Sequence, residues 1–152
     1  MRLWLLRHGE AAPQAATEAE RPLTAHGREE VLHSAVQLEG RAISAILASP
    51  YLRAQQTAEL VRQAIGFRGA VGTAPWATPD SDVREALAYL DEREEAEILL
   101  VSHNPFLGEL GGLLIHGHRQ QPLAMRTASL AELEGDFAAA GLMTLLALVH
   151  PH

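Results

Sequence analysis

Three runs of the chain, RLWLL (2–6), AISAILAS (42–49) and EILLVS (97–102), are apolar almost end to end. None alternates like a strand with one wet face, so each reads as a strand covered on both sides. Each is followed by a stretch whose apolar residues recur at helical spacing. That order is the pattern of a mostly parallel sheet held between two helical layers. The fold class that follows is α/β, a three-layer α/β/α arrangement with a mostly parallel central sheet.

The helical stretches carry their own signals. PLTAHGREEVLHSAVQLEG (22–40) has Thr24 as N-cap, Glu29 and Glu30 early, and a stripe of Val31, Leu32, Ala35 and Leu38, with Gly40 as its stop. Ser49-Pro50 reads as a cap followed by proline at the first helical position, and Ala54, Ala58, Val61 and Ile65 form one face of the helix beyond. The Gly- and Pro-rich stretch 66–83 holds one short strand near 70–74, and a helix over roughly 81–92 follows. Pro105 opens another helix, in which Gly111 and Gly112 mark close packing, and two strands near 128–133 and 142–149 complete the pattern. No repeat or linker interrupts it, so 1–152 reads as one domain, long enough for a core of its own.

Charge narrows the partners. The formal net charge is −7, and all 12 basic residues are arginines. An acidic protein lacks the basic footprint that nucleic-acid binding needs. Arginines gathered locally are another matter, because guanidinium is suited to bidentate capture of phosphate. The run LMTLLALV (142–149) is too short to span a bilayer, so no membrane is expected. The absence of cysteine, and a first strand that leaves no room for a secretory leader, set the expectation of a cytoplasmic protein.

The three apolar strands end alike. The first hands off to Arg7-His8-Gly9, the second to Ser49-Pro50-Tyr51-Leu52-Arg53, the third to Ser102-His103-Asn104-Pro105. In a parallel sheet these turns share the carboxyl edge, where such folds place ligands. Two histidines and at least two arginines should therefore converge on one crevice, into which the helices that follow would direct free N–H groups, favouring an anion.

Arg7-His8-Gly9 after the first strand, with a second histidine closing a later one, resembles the signature of the histidine phosphatase superfamily, which shares the phosphoglycerate mutase-like fold. The blocks RHGEAAPQAATEAERPLTAHG, SPYLRAQQTAE and VSHNP, in that order over about residues 1–105, are similar to those of the small SixA-type phosphohistidine phosphatases. The resemblance implies that His8 is the nucleophile, forming a phosphohistidine intermediate that water breaks. It implies that Arg7, Arg21 and Arg53 hold the phosphoryl oxygens, with His103 as a further donor, and that no cofactor or metal is needed. Nearby arginines would help to keep His8 neutral by lowering its pKa.

Larger members of that superfamily carry a glutamate acid and a capping insertion. Here the region after the third strand is short, Trp76 stands near where the acid would be sought, and only Glu10, Asp80 and Asp82 are candidates. An imidazole leaving group protonates near neutral pH, whereas an alkoxide needs an acid. The expected substrate is thus phosphohistidine on a protein, such as a phosphorelay carrier. The alternatives are a small phosphate ester and, less favoured, a non-catalytic phosphate-binding module. Oligomeric state is not legible.

Other features read as structural. His116, His118, His150 and His152 have no cysteine and no carboxylate at ligand spacing and read as exposed; His26 and His33 read as a polar helix flank. DEREEAE (91–97) reads as a solvated helix end, and Trp4 and Trp76 as packing, with Trp76 a possible wall of the pocket mouth.

Overall fold

The structure, a computed structural model, describes residues 1–151. Strands β1 (Arg2–Arg7), β2 (Ala45–Ala48), β3 (Gly72–Thr73), β4 (Glu97–Ser102), β5 (Leu130–Glu134) and β6 (Thr144–Val149) form one sheet in the order β3-β2-β4-β1-β5-β6. The first four in that order are parallel, while β5 and β6 extend the sheet antiparallel beside β1. The α-helices are α1 (Ala25–Ala35), α2 (Leu52–Ile65), α3 (Val83–Asp91) and α4 (Phe106–His116).

Alternate side chains of a strand point to opposite faces. Leu3, Leu5, Ile98 and Leu100 therefore pack with Leu90 of α3 and Leu107 and Leu110 of α4. Trp4, Leu6, Leu99 and Val101 pack with Val31 and Ala35 of α1 and Ala54, Ala58 and Val61 of α2. Both faces of the central strands are covered, which is why their sequences show no alternation. Among the described residues no helix is long and apolar enough to cross a membrane.

Local differences from the sequence reading have identifiable causes. Leu32, expected on the inward stripe of α1, is 46% exposed. It lies about 100° around the helix from Val31, and the buried face is instead Gly27, Glu30, Val31, Ser34 and Ala35. Two of these are polar and are satisfied across the fold. Glu30 accepts from Glu10 N and Thr127 Oγ1, and Ser34 Oγ donates to Ala128 O. Thr24 caps α1 as expected, accepting from Gly27 N. Ser49 does not cap α2, which starts after Tyr51.

Gly9 is not there for backbone freedom. Its φ is not in the left-handed region; what it provides is close approach. A Cβ on Gly9 would stand 2.4 Å from Gly27 O, and one on Gly27 would stand 2.1 Å from Glu10 O. The loop after β1 thus rests backbone against backbone on the first turn of α1, joined by Thr24 N donating to Glu10 O at 3.0 Å. Gly9→Ala should destabilise the protein by about 1–3 kcal/mol in urea melts, because the obstacle is backbone and cannot rotate away.

Candidate active site

In the sheet, Arg7 of β1 stands opposite Ser102 of β4, and Ala48 of β2 opposite Val101. The chain therefore leaves three adjacent strands at nearly one level, and His8, the Ser49–Arg53 segment and His103 emerge side by side. Arg7, His8, Arg21, Arg53 and His103 all line one cleft of about 390 Å³. All five residues expected at the site are brought together there.

His8 is 7% exposed. Its Nδ1 lies 2.7 Å from Gly9 O, so in the neutral ring Nδ1 carries the proton and donates to that carbonyl. Nε2 then bears the lone pair, and Arg53 Nε donates to it at 3.3 Å. The His8 pKa is pushed down to about 4. Burial is the main cause; the Gly9 carbonyl opposes it, and Arg53, Arg7 and Arg21 lower it further. The arginines expected to keep this ring neutral therefore rank behind desolvation.

His103 lies beside it, the two ring centroids 5.0 Å apart. Its Nε2 is 2.7 Å from Ser49 Oγ. That hydroxyl also accepts from Tyr51 N. Ser49 Oγ thus bonds the His103 ring and Tyr51 N, two residues ahead of the N-cap of α2. Burial, then the charges of His8, Arg53 and Arg7, hold the His103 pKa well below its usual value. Two buried nitrogens have no partner among the described residues, His103 Nδ1 and Arg7 Nε, and both belong to side chains lining the cleft.

The arginines are held from behind. Arg7 Nη1 donates to Met125 O at 3.0 Å, and Asn104 Nδ2 donates to the same carbonyl at 2.9 Å. Arg53 is 4% exposed and donates through Nη1 to Glu18 O at 2.8 Å. Arg21 is anchored by Nε to Ala12 O at 2.6 Å. Thr57 ties the loop after β1 to α2, its Oγ1 accepting from Gly9 N and donating to Arg53 O one turn back in the helix. Behind His8, Ala128 adopts the left-handed region at φ 57° and directs its N–H to the carbonyls of Arg7 and His8. The final third of the chain, which carries no functional signal in the sequence, therefore buttresses the site.

The acid candidates separate. Asp80 lines the cleft. Glu10 accepts from Thr24 Oγ1, and Asp82 caps α3 by accepting from Arg84 N at 2.8 Å. Trp76 does not line the cleft; it stacks on Tyr89 with ring centroids 5.6 Å apart. Glu18, Tyr51 and Asn104 line it without having been singled out. All three sit inside the motif blocks; Tyr51 and Asn104 stand within two residues of Arg53 and His103, whereas no local pattern distinguishes Glu18 from Glu20 beside it.

Among the described residues no group of three or more His, Cys, Asp or Glu could hold a metal ion. His116 and His118 are exposed, as are His26 and His33. His150 is not; it is partly buried and bonded through Nδ1 to Ser129 Oγ. His152 lies outside the described residues.

Fixed cations gathered around an imidazole that burial keeps uncharged suit a nucleophile attacking a phosphoryl group, whose oxygens must be held while charge shifts among them. The sequence profile of the histidine phosphatase superfamily (branch 1) matches residues 3–75. Over 141 residues the chain is 35% identical to phosphohistidine phosphatase SixA of Escherichia coli (strain K12), covering 90% of this chain and 86% of that protein. The chain belongs to the histidine phosphatase superfamily.

Solved structures agree. The structure of the protein histidine phosphatase SixA complexed with tungstate matches with a TM-score of 0.89 at 33% identity, over 99% of this chain and 97% of that one. The α-ribazole phosphatase from Shigella flexneri matches with a TM-score of 0.76 at 23% identity, over 97% and 96% of the two chains, a likeness of fold alone.

Proposed function

We propose that this chain is a phosphatase for phosphohistidine carried on a protein, acting as one domain through a covalent intermediate on His8. The observation that carries the reading is the state of His8: its Nδ1 proton is committed to Gly9 O, leaving a neutral Nε2 beside Arg53. The 35% identity to a phosphohistidine phosphatase supports the same substrate class.

In the first step, His8 Nε2 forms a bond to phosphorus as the substrate's P–N bond breaks, and the departing imidazole takes up a proton. In the second, water attacks phosphorus, the His8–phosphorus bond breaks, and inorganic phosphate leaves with His8 regenerated. Arg7, Arg21 and Arg53 hold the phosphoryl oxygens through both steps. Arg7 Nε, and His103 Nδ1 in the tautomer that protonates it, are buried without partners among the described residues and are suited to donate to those oxygens. The scheme calls on no metal or cofactor, because guanidinium groups supply the positive charge.

A second reading, hydrolysis of a small phosphate ester, is favoured by one observation, the carboxyl of Asp80 at the cleft. The two readings part in a time course with a histidine-phosphorylated phosphotransfer domain beside p-nitrophenyl phosphate. Fast loss of the protein label with little ester turnover supports the phosphohistidine reading; the reverse overturns it. Asp80→Asn should change the phosphohistidine rate by less than about threefold, since an imidazole leaving group protonates near neutral pH without an acid. A fall of on the order of 100-fold in ester turnover would make Asp80 the acid of an ester phosphatase.

A further inference from the structure

We propose that Glu18 is an internal competitor for the phosphate clamp, a specificity-determining residue whose carboxylate must be displaced before a phosphoryl group can bind. The inference rests on the reading of Arg21 and Arg53 as phosphate ligands.

Its basis is geometric. One oxygen of the Glu18 carboxylate, Oε1, accepts from Arg21 Nη1 at 2.6 Å and from Arg53 Nη2 at 3.3 Å. Two guanidinium groups from separate parts of the chain thus converge on a single anionic oxygen in the cleft, as they would on an oxygen of a bound phosphoryl group. The cations and the carboxylate differ in how firmly they are held. Arg53 is buried and Arg21 is tied to Ala12 O, whereas the Glu18 side chain is 62% exposed. Glu18 sits on the 3-10 turn Glu18–Glu20, which has no buried residue. Arg53 Nη1 also bonds the Glu18 backbone carbonyl, a contact that holds the turn in place whether or not the carboxylate swings away.

The carboxylate is therefore the movable partner of a fixed clamp. An incoming anion exchanges with it, so only the surplus of the new contacts over the old appears as affinity. A phosphoryl dianion, with more oxygens and more charge to offer Arg7, Arg21 and Arg53 together, has such a surplus. A singly charged carboxylate has little, being the same group that already sits there. Glu18 thus weakens phosphate binding, rejects carboxylates, and helps product phosphate to leave.

The test measures binding of inorganic phosphate to the full chain by calorimetry, for the wild type, Glu18→Gln and Glu18→Ala, with thermal melts as a control on folding. Both variants should bind phosphate about three- to tenfold more tightly, the scale of a largely exposed ion pair removed from competition. Acetate should compete with phosphate in Glu18→Ala and not in the wild type, a change that a merely structural role would not produce. With substrate, KM should fall in step with phosphate affinity while kcat does not rise. Unchanged or weaker phosphate binding in both variants would overturn the inference, showing that the carboxylate orders the arginines instead of competing for them. Phosphate binding by none of the three forms would overturn the clamp as well. Because binding is read without turnover, tighter binding in the variants together with no phosphohistidine hydrolysis would uphold this inference and remove only the proposed activity.

Discussion

His8→Ala lowers kcat/KM for the phosphorylated protein by on the order of 10⁴-fold or more, the scale seen when a nucleophile acting as part of a unit is removed. The ring does two things that no neighbour can take over. It places a lone pair on Nε2 beside the arginines, and through Nδ1 it holds that tautomer against Gly9 O. Inorganic phosphate should still bind the variant, because Arg7, Arg21 and Arg53 have anchors of their own in Met125 O, Ala12 O and Glu18 O. Stopped turnover together with retained binding separates the loss of a nucleophile from the loss of the site. Added imidazole should restore part of the rate by attacking from the space the side chain leaves. Turnover within about tenfold of the wild type would remove His8 from its role.

The second large effect is acid sensitivity. His8 is neutral when folded, with a pKa of about 4 in place of the usual 6.5, and that of His103 is also lowered. The unfolded chain therefore binds more protons than the folded one between these values. Stability then rises with pH across that window and is lost as pH falls from about 6.5 towards 4. For His8 alone the loss amounts to about 3 kcal/mol at pH 4, and His103 adds to it. Urea melts at a series of pH values should give a slope that flattens by about one proton in His8→Asn. Catalysis follows a different curve. With His8 losing its proton near pH 4, the contribution of a nucleophilic His8 to the rate should stay level from about pH 5 to 8. A rate limb centred near 6.5 would mean that burial does not control the ring.

The parts of this fold and site that can be read from the sequence share a physical property: they are local. Apolar runs without alternation report strands covered on both faces, and Thr24 reports the start of α1 because its cap bond reaches only three residues. Arg7, His8, Arg53 and His103 are legible because each lies at a strand end or in the segment leading from it into the next helix, and the parallel order brings those ends together. What eluded the reading depends on contacts across the chain. Nothing beside Gly9 in the sequence reveals that Gly27 packs against it. Ser49 looks like a cap until His103 takes its hydroxyl. Glu18 is one acidic residue in a polar loop, and nothing nearby in sequence reveals that Arg53 reaches it. The arginines do lower the His8 pKa, but the larger cause, burial, is hidden from the sequence for a related reason. Neighbouring arginines can be counted along a sequence, but burial is a sum over the whole fold.

The left-handed Ala128 behind His8 has a consequence of another kind. A non-glycine residue at φ 57° stands on a backbone conformation that costs about 1 kcal/mol or more, and it persists because surrounding bonds outweigh it. Those bonds come from three sources: the carbonyls of Arg7 and His8 accept its N–H, and Ser34 of α1 donates to its carbonyl. The backbone of His8 is thereby clamped between the first helix and the last third of the chain. The accuracy with which His8 is aimed is set at assembly, so a change in the docking of either flank should register as altered aim at phosphorus before it registers as unfolding.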